Sequence, residues 1–308
     1  MDTGTDQNSR KMDNSGEVSH QEPAVETKKL PRQITLKLVL PVVGFTIIAQ
    51  VLTMLVALRY VSVQVVVPAY EPFGSSVEGS VGNSLMLVVP VFLVTVIMVW
   101  LIKMNKASLI RKFLTAFISF NTFTLTLLLT DILLPNLGNQ NYQTFVPIAS
   151  AVAAAIFIGY SSVKPGSALR GAFASLLLAV EVAAYMSIFI RPPTIIILPV
   201  AFALYDLYAV FMGPLKTLIS SGDLPMLGSL VAKIGDLEIG LGDIVFYSLL
   251  PASGFILGGW VGALLILAVT NIGLMTTLRM LKNRGSFPGL PIPVLLGTCG
   301  LLLIMLQP

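Results

Sequence analysis

The sequence contains one cysteine and one histidine among its 308 residues. Cys299 lies in an apolar run, and a single cysteine allows neither an intramolecular disulfide nor a multi-cysteine metal site. His20 lies near the N-terminus, outside every long apolar run. Serine-histidine or cysteine-histidine catalysis, a histidine-bearing zinc site and a histidine-held haem therefore have no candidate residue at membrane depth. We expect no metal and no organic cofactor.

Charged residues are also scarce. Only 11% of the residues are charged, 55% are hydrophobic and the mean hydropathy is +0.87, whereas soluble proteins carry about 25% charged residues. This composition predicts an integral all-α membrane protein embedded in the lipid bilayer. The isoelectric point is near 9.2, but the basic residues are spread over short loops, which indicates membrane orientation and no nucleic-acid partner.

Residues 1–35 differ from the rest of the chain because they are polar and have almost no aromatic or branched apolar side chains. Such a segment cannot bury enough surface to fold, so we expect a disordered cytoplasmic tail. It lacks the charged start, short apolar core and small-residue cleavage site of a signal peptide, which indicates that the first membrane helix is retained. Residues 36–308 are expected to form one membrane domain.

Nine apolar runs in this domain are long enough for a spanning helix, which needs about 20 residues. They cover approximately 38–58, 84–102, 113–134, 143–162, 169–190, 194–213, 240–257, 260–278 and 290–307. Of the 19 lysines and arginines, 17 fall in alternate connecting segments that begin with the tail, and only Arg59 and Arg191 fall on the opposite side. By the positive-inside rule, the N-terminus is cytoplasmic and the C-terminus is outside.

Two aspartates interrupt these apolar runs, Asp206 in the sixth predicted span and Asp243 in the seventh. An ionisable group at membrane depth costs at least about 2.5 kcal/mol on insertion scales, so it is typical of a functional site. At 1.5 Å per residue, the topology places Asp206 about 10 Å and Asp243 about 5 Å above the cytoplasmic face. The two carboxylates can therefore meet if their helices pack together.

A pair of aspartates at one site has a chemical consequence. Carboxylates that share a site do not both ionise easily, so one proton is held between them. The ionised group can activate a water that attacks a peptide carbonyl, while the protonated group hydrogen-bonds to the carbonyl oxygen. Gly240 and Gly242 remove side chains beside Asp243 and would let another backbone approach it. The alternative interpretation of these glycines is a helix start with close packing.

Three motifs in the second half of the chain are Tyr205-Asp206, Gly240-Leu241-Gly242-Asp243 and Pro288-Gly289-Leu290-Pro291. Their order, spacing and topology resemble those of the presenilin and signal peptide peptidase family of intramembrane aspartyl proteases, on its archaeal branch. The resemblance covers residues 38–308 and departs from the family at Gly289, where alanine is usual. It implies a presenilin-like bundle of nine transmembrane helices and a catalytic pair, Asp206 and Asp243. It also implies that the remaining residues of the motifs support this pair or bind substrate: Tyr205, Gly240, Leu241, Gly242, Pro288, Gly289 and Leu290.

The same resemblance implies transmembrane proteins or peptides as substrates, with the N-terminus outside, and a location in the archaeal cell membrane. A substrate helix must unwind before water can attack its carbonyls. Pro288, Pro291 and Pro293 supply no amide hydrogen, so nearby carbonyls could pair with an unwound substrate strand. A helix start marked by proline is the alternative.

Several other features have less specific interpretations. Glu181 is expected to bond a neighbouring helix or line a water pocket, and Asp131 to lie near the outer surface. Tyr205 or Tyr208 could tune the acid pair, or both could pack in the core. Gly258 and Gly262 form a helix-packing motif, within one chain or in a homo-oligomer. Residues 214–239 are expected to form a flexible loop that gates entry, is self-cleaved, or only links two helices.

Two rival functions remain open at this point. Buried acids also form proton and cation relays, so a transporter or channel is the main alternative, although we find no inverted repeats in the sequence. A membrane scaffold in which the acids only pair helices is the second.

Overall fold

The computed structural model describes residues 36–104, 106–134, 140–164, 167–212, 230–235, 237–284 and 288–306. The predicted tail, residues 1–35, lies outside this part of the chain. So does most of the predicted loop at 214–239, namely residues 214–229 and 236. Gating or self-cleavage by that loop therefore remains a prediction.

The described residues form eight helices and one hairpin. Seven of the helices are apolar and long enough to cross a membrane, and the eighth is a shorter apolar helix of 15 residues. Together they identify an integral multi-pass membrane protein. The helices are α1 Leu36–Val63, α2 Val77–Lys103, α3 Ala107–Leu133, α4 Gln140–Val163, α5 Ala168–Phe189, α6 Thr194–Phe211, α7 Leu241–Arg284 and α8 Pro291–Met305.

The expected count of nine separate helices is not confirmed, because the predicted seventh and eighth spans both fall within α7. This element is interrupted at Gly258 and Gly259, whose backbone angles are not helical. A β-carbon on Gly262 would lie 2.5 Å from the carbonyl oxygen of Gly254, although eight residues rise about 12 Å in a straight helix. The chain therefore folds back on itself at the two glycines.

The second helix begins at Val77, seven residues before the predicted start at 84. The extra turns contain Glu78, Ser80, Asn83 and two glycines, so an apolar run does not reveal them. They are held by side chains: the Ser76 hydroxyl accepts the N–H of Gly79 at 3.0 Å, and Asn83 bonds the backbone of Phe73 and Gly74. Local capping, not hydropathy, determines where this helix starts.

Part of the predicted flexible loop is instead an antiparallel hairpin. Strand β1, Val231–Ile234, pairs with β2, Leu237–Gly240, and Lys233 lies opposite Glu238. Burial alternates along both strands, and one face packs into the main core through Ala232, Leu237 and Ile239. The hairpin ends at Gly240 and leads directly into α7, so it fixes the point at which the Asp243 helix begins.

Packing around α8 brings the two aspartate helices to one place. Helix α8 packs against both α6 and α7, and α7 also packs against α1 and α5. The glycines of α8 and of the second half of α7 allow close approach: a β-carbon on Gly273 would lie 2.5 Å from the Cα of Pro293. The start of α8 is therefore held between the helices that carry Asp206 and Asp243.

Candidate active site

Asp206 lies on α6, partly buried, and its Oδ2 atom accepts the backbone N–H of Leu290 at 3.1 Å. Leu290 immediately precedes α8, whose first and third residues are prolines without an amide hydrogen. Its N–H is one of the few donors that this helix start can offer. The hydrogen bond and the positive end of the helix dipole both attract the Asp206 side chain to the start of α8.

Asp243 lies in the first turn of α7 and is also partly buried. Its carboxylate faces the main chain of Gly289. A β-carbon added to Gly289 would come within 2.6 Å of Oδ2 and 2.7 Å of Oδ1. Side chains essentially never pack this closely, so Gly289 is the point at which another backbone approaches Asp243.

The two carboxylates therefore contact one dipeptide, Gly289-Leu290, from two different helices. Standard backbone dimensions place their nearest oxygens within about 9 Å of each other, given these two contacts. They also interact electrostatically. The arrangement brings together the acids that the sequence singled out and gives each of them a contact with the third motif.

Tyr247 is a further member of the site that the sequence analysis missed. Its side chain is only 1% exposed, and its hydroxyl donates to the carbonyl oxygen of Gly289 at 2.8 Å. The signal was present in the sequence, because Tyr247 follows Asp243 by four residues and so shares its face of the helix.

The third motif is more completely bonded than expected. Pro288 and Leu290 are buried, the carbonyl of Gly289 accepts from Tyr247, and that of Leu290 accepts the N–H of Val294 at 3.0 Å. The expectation of free carbonyls for an unwound substrate strand is therefore wrong at Gly289 and Leu290. The prolines remove donors, but a tyrosine and the first turn of α8 supply partners.

The glycines beside Asp243 also differ from expectation. A β-carbon on Gly240 would lie 3.4 Å from Oδ2 of Asp243, an ordinary contact, and one on Gly242 would meet no atom within 4 Å. The close backbone approach is made at Gly289 and not at these two positions. Leu241, between them, is partly buried and packs against the core.

The tyrosines next to Asp206 face another helix. The hydroxyl of Tyr205 donates to Oγ1 of Thr95 on α2 at 3.0 Å, and the rings of Tyr205 and Tyr208 contact Phe92 on the same helix. These contacts favour the packing interpretation, in which both tyrosines hold α6 against α2.

The other acids of the membrane helices lie elsewhere. Glu181 on α5 is buried, and its Oε1 accepts the hydroxyl of Thr126 on α3 at 2.6 Å. Asp131 is exposed near the end of α3. Within the part of the chain that the structure describes, no three or more His, Cys, Asp or Glu side chains are grouped so that they could hold a metal ion.

Comparison with known proteins bears on the fold. No family model and no curated protein matches the sequence. Two solved structures of a presenilin family intramembrane aspartate protease, in space groups C222 and P2, are similar to the chain. The fold is presenilin-like. Each of the two solved structures is 20% identical to this chain in sequence, with a TM-score of 0.57. The alignments cover 87% and 89% of this chain and 98% and 99% of the solved chains.

Gly258 and Gly262, at and just after the bend in α7, pack against α8 of the same chain. A β-carbon on Gly258 would lie 2.7 Å from Cγ2 of Ile304 on α8, and one on Gly262 would lie 3.1 Å from Cδ1 of the same residue. The predicted packing motif at 258 and 262 is therefore used within the chain. Association into a homo-oligomer remains a prediction.

Proposed function

We propose that the chain is an intramembrane aspartyl protease in which Asp206 and Asp243 activate a water and hydrolyse a peptide bond of a transmembrane substrate. One observation supports this most directly: carboxylates from two separate helices contact the same dipeptide, Gly289-Leu290. The presenilin-like fold supports the same class of chemistry, since both similar structures are described as intramembrane aspartate proteases. A transporter is not favoured by either similarity.

The proposed reaction needs only the two acids and water. One aspartate, ionised, takes a proton from the water as its oxygen attacks the peptide carbonyl. The other, protonated, donates a hydrogen bond to the carbonyl oxygen and stabilises the charge that develops there. Collapse of the intermediate breaks the C–N bond and returns a proton to the amine that leaves. The two groups act as a unit, and neither role is assigned to one residue.

We further propose that the chain crosses the membrane nine times, with the segments before and after Gly258-Gly259 counted separately. The N-terminus would then be cytoplasmic and the C-terminus outside, as the distribution of lysine and arginine indicates. This orientation places both aspartates in the cytoplasmic half of the bilayer, in what we expect to be an archaeal cell membrane. Substrates would be single-pass proteins, unwound near their cytoplasmic end.

The decisive experiment measures peptide cleavage and ion flux in the same proteoliposomes. All of the proteoliposomes contain a labelled single-span substrate. They differ in the protein, which is wild type, Asp206→Ala, Asp243→Ala or the control Asp131→Asn. The control changes an exposed acid on α3. We expect two products from wild type and the control, and a rate at least about 100-fold lower from either alanine variant. If wild type conducts ions but gives no cleaved product, and both alanine variants abolish the ion flux, the protein is a transporter instead.

A further inference from the structure

Pro251 leaves the main-chain carbonyl of Tyr247 without its usual partner. In an α-helix the carbonyl of residue i accepts the N–H of residue i+4, and proline has no N–H to give. Pro251 lies inside α7, four residues after Tyr247. In a membrane-spanning helix, a carbonyl freed in this way is bonded by a neighbouring helix or by water.

Gln50 on α1 supplies the missing donor. Its Nε2 atom donates to the carbonyl oxygen of Tyr247 at 3.2 Å, and its Oε1 accepts Nδ2 of Asn271 at 2.7 Å. The same Nδ2 also donates to the carbonyl oxygen of Leu267 at 2.8 Å. Gln50 is 0% exposed and Asn271 is 7% exposed. Two carboxamides are thus buried together between α1 and both halves of α7.

The orientation of both amides follows from their surroundings. Each NH₂ group faces a main-chain carbonyl, that of Tyr247 or of Leu267. Turning either amide over would place two oxygens against each other, because a carbonyl has no hydrogen to donate. Only one arrangement bonds both carbonyls and joins the two amides.

The chain of hydrogen bonds continues from Tyr247 into the candidate active site. Its carbonyl is held by Gln50 and its hydroxyl is held by Gly289, whose neighbour Leu290 donates to Asp206. Tyr247 is therefore bonded at both of its ends. Its hydroxyl is therefore one of the contacts that hold the Gly289-Leu290 dipeptide in place beside the two carboxylates.

We infer that Gln50 and Asn271 form a positioning clamp, which replaces the N–H missing at Pro251 and holds Tyr247 against Gly289. Neither residue touches the reacting atoms, so both are positioning residues. The catalytic consequence rests on the proposed protease function, whereas the clamp itself does not. Burying two carboxamides among apolar helices is costly, and the hydrogen bonds to Tyr247, to Leu267 and between the two amides offset part of that cost. The Oδ1 atom of Asn271 has no hydrogen-bond partner among the described residues.

A matched residue on the same helix separates the clamp from burial of a polar group in general. Thr53 is also 0% exposed and lies one turn from Gln50, but among the described residues its hydroxyl bonds only to Ala49 of its own helix, at 2.8 Å. Thr53→Val therefore removes a buried polar group from α1 without breaking a described hydrogen bond to α7. Gln50→Met removes the contact and keeps the length of the side chain.

The test compares these variants in the cleavage assay with purified full-length protein. Gln50→Met should lower kcat about tenfold with KM unchanged, because an unsatisfied carbonyl lets Tyr247 move. Thr53→Val should stay within about twofold of wild type. In a Pro251→Ala background, residue 251 supplies its own N–H, so the loss caused by Gln50→Met should shrink. Equal losses in both backgrounds, or a Gln50→Met protein as active as wild type, would overturn the clamp.

Unfolding midpoints provide a readout that does not need cleavage. The effects of Gln50→Met and Tyr247→Phe on the unfolding midpoint should be non-additive, because both substitutions break one connected set of hydrogen bonds. The effects of Thr53→Val and Tyr247→Phe on the midpoint should be additive. If wild type cleaves nothing, the proposed function fails and this cycle still decides the clamp. If Gln50→Met does not fold, Asn271→Leu takes its place. The inference would be contradicted if Asn271→Leu folds, leaves kcat unchanged and shifts the unfolding midpoint additively with Tyr247→Phe.

Discussion

The carboxylate of Asp243 occupies the space in which a side chain at position 289 would lie. Three of its atoms, Oδ2, Cγ and Oδ1, would be 2.6, 2.7 and 2.7 Å from a β-carbon on Gly289. The family that the sequence resembles usually has alanine at this position. In this chain the glycine leaves free the space that the Asp243 carboxylate occupies. The absence of one methyl group lets the third motif contact the aspartate directly.

Gly289→Ala should therefore impair catalysis although it restores the residue usual in the family. The methyl group must push Asp243 or the dipeptide away, and overpacking of this kind costs about 1–3 kcal/mol. We expect kcat to fall about tenfold or more. The control is Gly171→Ala on α5, where an added β-carbon meets no atom within 4 Å. Full activity of Gly289→Ala would show that Asp243 moves aside without consequence.

Tyr247 should matter more for catalysis than Tyr205. Tyr247→Phe removes the hydroxyl that holds Gly289, whereas Tyr205→Phe removes one that holds Thr95 on α2. A hydrogen bond of this type contributes about 1 kcal/mol, so Tyr247→Phe should reduce kcat about fivefold. Tyr205→Phe should cause a smaller reduction. Steady-state kinetics of the two variants would decide this, and the opposite order would point to Tyr205 as the residue that tunes the acid pair.

Gly259 should be required for stability at the bend of α7. Its φ of 59° and ψ of −152° lie in a region that is essentially closed to residues with a β-carbon. Gly259→Ala should lower the free energy of unfolding by about 1–3 kcal/mol, measured by denaturant titration in detergent. Open space surrounds this position, so the loss would come from the backbone and not from a clash. An unchanged unfolding curve would mean that the bend is made elsewhere.

Glu181 should be dispensable for cleavage. Its one described partner is the hydroxyl of Thr126, a contact between α5 and α3 that lies outside the candidate active site. Glu181→Gln keeps an oxygen to accept this bond and removes a carboxyl group from the membrane interior. We expect unchanged kcat and KM, with stability equal to or above that of wild type. A proteoliposome assay in which Glu181→Gln abolishes either cleavage or ion flux would instead make this acid functional.

Apolar length was sufficient to predict most of the helices, and the scarcity of charge was sufficient to single out Asp206 and Asp243 as candidates. The expected span at 194–213 corresponds to α6 at Thr194–Phe211, and the span at 169–190 to α5 at Ala168–Phe189. These helices are apolar almost throughout, so hydropathy alone locates them. Asp206 and Asp243 stand out for the same reason, since a charge is conspicuous where almost every neighbour is apolar.

Features that depend on specific side-chain contacts were not predicted. The hairpin at 231–240 has alternating polarity and a glycine at its turn, but it lies in a connection that otherwise resembles a loop. Gln50 and Asn271 are 221 positions apart in the chain, so no local pattern links them. The relation between Pro251 and Tyr247 was open to prediction, because any proline inside a helix frees the carbonyl four residues earlier.

The cleavage rates of Asp206→Asn, Asp243→Asn and the double variant test the central claim most directly. They are measured on one single-span substrate, with Asp131→Asn as the control. If the two acids act as a unit, each single variant should lose as much activity as the double variant, by at least about 100-fold, while the control cleaves at the wild-type rate. A single variant that cleaves at the wild-type rate, or single losses that multiply in the double variant, would contradict a shared catalytic pair.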